Sequence, residues 1–141
     1  MKKISMVLSM LLGMSVFTVQ ADVTTAQKLA DKYAAIAKHI NPASTGLSAN
    51  DGKDFFNREI IIKGKPVACA SCHTTSPANV GKHIVTGKPI RPLSPLVNAK
   101  RFTSVDKVEK NFTSHCNDII GRDCTAQEKG NFIAYLLTIS K

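Results

Sequence analysis

Apolar positions recur at helical spacing at Leu29, Tyr33, Ile36 and Ile40, in a stretch rich in alanine and lysine that stops at Asn41-Pro42. They predict a first helix with one buried stripe. The next residues, NPASTGLSAND, carry loop chemistry, after which Asp51 is placed to cap a short helix through Asp54, Phe55, Phe56 and Arg58. Ile60 to Ile62 reads as a short extended piece, followed by a turn at Gly64-Lys65-Pro66, and no sheet is expected there. Prolines at 77, 89, 92 and 95 with glycines at 81 and 87 make residues 74–95 a loop wrapped over something else. Thr103 or Ser104 then starts a helix with Val105, Val108 and Phe112 on one face, running toward His115. The last helix opens on Thr125-Ala-Gln-Glu128, the spacing of a capping box, and Phe132, Ile133, Leu136, Leu137 and Ile139 give it an apolar face. The pattern predicts an all-α domain with long ordered loops and no internal repeat.

The first 21 residues have a different character. Lys2 and Lys3 precede an apolar run from Ile4 to Val19, and Ala21 suits a signal peptidase, so residues 1–21 are read as an export signal. The run is broken by serines and glycine and is shorter than the roughly 20 apolar residues of a membrane span, so no membrane association is expected after cleavage. Residues 22–141 then form one domain with a modest core. Without Lys2 and Lys3, 17 of the 19 basic residues remain against 10 acidic ones, a charge of +7. The basic residues are scattered, which excludes a nucleic-acid surface and leaves an acidic partner protein as the expectation.

Residues 69–73 read Cys-Ala-Ser-Cys-His, the C-x-x-C-H pattern of c-type haem attachment. The spacing has a mechanical reason: Cys69 and Cys72 each reach one vinyl group of a porphyrin, and His73 then faces the iron from the same side. A thioredoxin-like pair would need a βαβ context that is missing, and a zinc site would want a second close pair. One covalent haem c is the expected cofactor. It would also enlarge the core of a chain with no tryptophan, with Phe55, Phe56, Phe132 and Leu136 as packing partners.

The other face of the iron is the open question. Methionine is the common partner of histidine in cytochromes c. Here all four methionines, Met1, Met6, Met10 and Met14, lie in the expected signal segment. The remaining donors are His39, His83 and His115, then Asn98, Lys100 or Tyr33, or none. His83 follows His73 by only ten residues, a short path around the ring, and His39 sits at a helix end where a solvated histidine is ordinary. His115 follows a loop long enough to cross the ring, which makes it the favoured ligand. Cys116 and Cys124, left over after haem attachment in an oxidising compartment, are most simply a disulfide that stiffens the backbone beside His115, with Gly121 letting the small loop turn. A ligand so constrained is expected to bind oxidised iron and leave reduced iron, and the freed imidazole to take up a proton.

Through DVTTAQKLADKY, DGKDFFNRE, ACASCHTTSPANVGKHIVTGK, KRFTSVDKVEKNFTSHCNDIIG and EKGNFIAYLLT, nearly all of the mature chain resembles the cytochromes c″, bacterial monohaem cytochromes with two histidine ligands. The resemblance implies a class I cytochrome c-like helical core around one covalent haem, with an extra N-terminal helix and added loops. It further implies thioethers at Cys69 and Cys72, axial ligands His73 and His115, a Cys116–Cys124 disulfide, and loss of one ligand on reduction. A related oxygen-binding class has asparagine where this chain has His115. The expected role is periplasmic electron transfer by a monomer with an acidic redox partner, and no catalytic constellation of base and nucleophile is seen. Binding, sensing or reduction of a diatomic ligand such as nitric oxide or oxygen is the alternative, and a haem store or assembly subunit a third reading. Lys82, Lys88, Arg91, Lys100 and Arg101 are candidates to meet haem propionates or the partner.

Overall fold

The computed structural model describes residues 18–141, with side chains from Val23 onward. The expected signal, residues 1–21, lies outside them except for residues 18–21. Five helices and two small hairpins follow: α1 (Thr18–Ile40), α2 (Ala49–Asn57), β1 (Ile60–Ile62), β2 (Lys65–Val67), α3 (Cys69–His73), β3 (Gly81–Lys82), β4 (Pro89–Ile90), α4 (Val105–Ile120) and α5 (Ala126–Leu136). The all-α expectation holds, since the strands are only two or three residues long.

The core forms where α5 packs against both α1 and α2. On α1 the buried stripe is Ala26, Leu29, Ala30, Tyr33 and Ala37, while Ile36 and Ile40 are 38% and 73% exposed. Leu29 and Tyr33 are buried as the spacing predicts, while alanines rather than Ile36 and Ile40 complete the stripe, as a close approach of α5 favours. Gly130 of α5 provides that approach: a Cβ there would lie 3.2 Å from Tyr33 Cβ and 2.5 Å from Leu47 Cδ2. Gly52 does the same for α2, where a Cβ would fall 1.9 Å from the Asn131 carbonyl oxygen. Phe56 is sealed between the rings of Phe132 and Tyr135, at 6.0 and 5.8 Å. Phe56 and Leu136 are fully buried among protein side chains, whereas Phe55 and Phe132 are half-buried.

The caps follow local chemistry. Ser48, not Asp51, is the N-cap of α2; its side chain accepts from the Asp51 N–H at 3.1 Å, and Asn131 Oδ1 accepts from the Ser48 N–H at 2.9 Å. Ser104 caps α4. The Thr125/Glu128 capping box forms as its spacing predicts, with each side chain accepting from the other's backbone N–H. Gly121 ends α4 at φ 78°, where a left-handed residue costs least.

Two corrections concern the loops. Ile60–Ile62 does pair, antiparallel with Lys65–Val67. The turn is Lys63-Gly64, with φ 51° and 76°, the two left-handed residues that a tight two-residue hairpin requires. The proline-rich stretch holds a second small hairpin, Gly81↔Ile90 and Lys82↔Pro89. Prolines fit there because a two-stranded ladder leaves outward N–H positions without demand. Beyond it the loop is pinned to the body: Pro77 O accepts from Leu93 and Ser94 N–H, and buried Ser94 Oγ donates to Ile139 O.

Candidate functional site

Cys69, Cys72 and His73 share one short helix, α3, which opens next to the β2 strand. The Ala68 N–H donates to Ser71 Oγ at 2.9 Å, so the second variable residue of the motif closes the first turn. Both cysteine side chains are half-buried. Directly after His73 the chain turns out of the helix through Thr74 at φ 61° and ψ 165°. A β-branched residue rarely adopts that region. Its hydroxyl donates to Ser76 O at 2.7 Å, which holds the exit.

The returning loop then covers the back of α3. A Cβ on Gly81 would lie 2.2 Å from the Cys72 carbonyl oxygen and 3.0 Å from His73 Cα, so only glycine permits the contact. Burial, then the Arg101 guanidinium and then His115, depress the His73 pKa to about 4. The ring is therefore neutral near pH 7, with a nitrogen lone pair free for a metal. Arg101 is itself half-buried and donates to Pro92 O at 3.2 Å and Arg91 O at 2.7 Å; Lys82, Lys88, Arg91 and Lys100 are exposed.

Three histidines competed for the opposite position. His83 spends Nδ1 as acceptor for the Val85 and Thr86 N–H groups in its own hairpin, and His39 is exposed at the end of α1. Asn98 is committed to its loop, donating to Pro92 O and accepting from the Lys100 N–H. Tyr33 is buried in the core. His115, on α4, faces His73 with ring centroids 6.4 Å apart and planes at 45°. Its Nδ1–H donates to the Asn111 carbonyl, one turn back, at 2.7 Å. That bond leaves the lone pair on Nε2.

The separation fits one metal ion between the two rings. With metal–nitrogen bonds of about 2 Å and each ring centre roughly 1 Å beyond its nitrogen, two coaxial imidazoles have centres roughly 6 Å apart. Two cysteine sulfurs and two facing imidazoles, arranged so, match what a covalent c-type haem needs. Cys116 and Cys124 form a disulfide, with Cα atoms 5.6 Å apart, joining the residue after His115 to the entry of α5.

Sequence reasoning passed over Gly81 and the Asn111 carbonyl. A glycine in a loop signals nothing about what will lie against it, and a backbone acceptor has no residue signature at all.

Residues 42–136 match the family described as a domain of unknown function, DUF1924. Cytochrome c″ of Methylophilus methylotrophus is 62% identical over 122 residues, covering 86% of this chain and 85% of that protein. Its oxidised crystal structure superposes with a TM-score of 0.82 over 85% of this chain and 98% of that one. The solution structure, which addresses the structural basis of haem-ligand detachment, gives 0.77 over the same shares. The c-type cytochrome SHP of Cereibacter sphaeroides is 43% identical over 75 residues, 52% of this chain and 57% of that protein. A structure of oxidised SHP, described as an oxygen-binding cytochrome c, gives a TM-score of 0.70 at 32% identity, covering 80% of this chain and 96% of that one.

Proposed function

This chain belongs to the cytochrome c″ family and carries one covalent c-type haem, and from that premise we propose that it is a periplasmic electron-transfer protein with a redox-switched ligand. Cys69 and Cys72 would hold the group, and His73 and His115 would each offer its iron an imidazole nitrogen. The group supplies the one-electron couple; the chain supplies position and proton.

The observation that carries this reading is the His73–His115 pairing at 6.4 Å with the Asn111 bond orienting the second ring. On reduction His115 would leave, and its freed Nε2 would be open to a proton, so the midpoint potential would fall as pH rises. Export is supported by the leader pattern and by the Cys116–Cys124 disulfide, a bond that oxidising compartments favour. No helix among the described residues is long and apolar enough to cross a membrane. An acidic redox partner fits the basic surface.

Optical and magnetic circular dichroism spectra of the protein and its His115→Ala variant test this. Low-spin oxidised and high-spin reduced protein is expected, with the variant high-spin in both states. A variant that stays low-spin when oxidised refutes ligation by His115.

The likeness to oxygen-binding SHP favours a second reading, in which a diatomic ligand would take the face that His115 vacates. Mixing reduced protein with carbon monoxide or nitric oxide separates the two. Capture much slower than electron delivery removes the second reading.

A further inference from the structure

Lys129 is buried, with only 10% of its side chain exposed. Such a lysine persists only when paired. Its ammonium lies 3.6 Å from Glu109 on α4 and 3.4 Å from Asp123 in the disulfide loop. It also sits 5.9 Å from the centre of the Tyr33 ring on α1 and 5.8 Å from that of Phe112 on α4. Lys32 of α1 reaches Glu109 from the other side at 3.7 Å. Burial first, and then Glu109, raise the Tyr33 pKa far above its ordinary value, so the phenol stays neutral beside this cluster. One ammonium on α5 thus gathers α1, α4 and the disulfide loop.

Those last two segments flank His115. Glu109 and Phe112 lie on the same helix, six and three residues before it, and Asp123 adjoins the Cys124 half of the disulfide. Phe112 is wedged edge-on between Tyr33 at 6.0 Å and Phe132 at 5.6 Å. Val108 and Cys116 are the buried residues of α4, and Phe112 packs against the core beside them. The ion cluster carries a share of the load.

We infer that Lys129 is a positioning residue for the axial-ligand switch: its pairing with Glu109 and Asp123 holds α4 where His115 faces His73. The inference rests on ligation by His115. Removing the ammonium leaves Glu109 and Asp123 with 34% and 55% of their side chains exposed, so both can be hydrated and the fold survives. What changes is how tightly α4 is held.

The test is the rate at which cyanide displaces the protein ligand from the oxidised holoprotein, a reaction that must wait for His115 to leave. Lys129→Met, and separately Glu109→Gln, should each speed displacement by about fivefold, the reach of a partly buried ion pair. Lys129→Arg should stay within about twofold of wild type. Rates unchanged in both charge-removing variants, even with lowered melting temperatures, overturn the inference and leave Lys129 a structural pair. An equal acceleration in Lys129→Arg also overturns it, since packing rather than charge would then be responsible. His115→Ala separates the premise: if its oxidised form is still low-spin, ligation by His115 has failed, whatever Lys129 does.

Discussion

Gly81→Ala is a one-methyl change whose consequence can be worked from the structure. The new Cβ would lie 2.2 Å from the Cys72 carbonyl oxygen, 3.0 Å from His73 Cα and 3.1 Å from the Cys72 carbonyl carbon. Contacts below 3.0 Å essentially do not occur, so β3 and α3 must part by at least 3.0 − 2.2 = 0.8 Å. All three atoms it meets belong to the backbone, so no rotamer change relieves the overlap. β3 is also held by β4 through the Gly81↔Ile90 pair, so the α3 peptide bearing His73 takes much of the displacement. Overpacking of this kind costs about 1–3 kcal/mol, which for a domain of this size lowers the melting temperature by roughly 4–12 °C. A ligand displaced by more than about 0.5 Å is out of its working geometry, so the oxidised spectrum should gain a high-spin fraction. Thermal unfolding followed by far-ultraviolet circular dichroism, together with the Soret and charge-transfer bands, reads both effects. Gly64→Asn is the control, since a Cβ there meets nothing within 4 Å and asparagine tolerates its φ of 76°. A Gly81→Ala protein that melts with the wild type and keeps its spectrum would refute the argument.

Two further outcomes follow from local geometry. Replacing both Cys116 and Cys124 by serine opens a loop spanning a separation of 8 residues, a loss of roughly 2.5 kcal/mol in the chain-entropy treatment; urea unfolding measures it, and no change in midpoint would count against it. Glu128 is held below the ordinary carboxylate range, chiefly by its hydrogen bonds from Arg122 at 2.7 and 2.9 Å. A depressed carboxyl stabilises the fold above its unfolded pKa, roughly 4.3, and loses that contribution as pH falls through the folded value. The stability advantage of wild type over Glu128→Gln should therefore be full at pH 7 and shrink below about pH 4, and a difference independent of pH would contradict the assignment.

Legibility from the sequence tracks the range of the interactions. The capping box at Thr125 and Glu128 and the end of α1 at Asn41-Pro42 were readable, because each depends on residues within one turn of each other. The first hairpin was missed although its turn is as local, since Lys63 is an uncommon residue at φ 51° and only Gly64 advertised the turn. On α1 the spacing picked out Leu29 and Tyr33, which are buried, but also Ile36 and Ile40, which are exposed, while Ala26, Ala30 and Ala37 complete the buried stripe.

By itself the sequence determined the chemistry that lives in consecutive residues: the Cys69-Ala-Ser-Cys-His73 motif, the lack of methionine beyond Met14, and the spare pair Cys116 and Cys124. It ranked three histidines above Asn98, Lys100, Tyr33 or no ligand at the second position, and favoured His115. Only the tertiary structure placed His115 opposite His73, tied up His83 in its own hairpin, and buried Lys129 among α1, α4 and the disulfide loop. The physical reason is distance along the chain. Bond geometry fixes how thiols and imidazole sit within five residues, but whether two rings 42 residues apart in sequence meet depends on how helices pack, and that is settled by glycines and alanines with no chemistry to announce them.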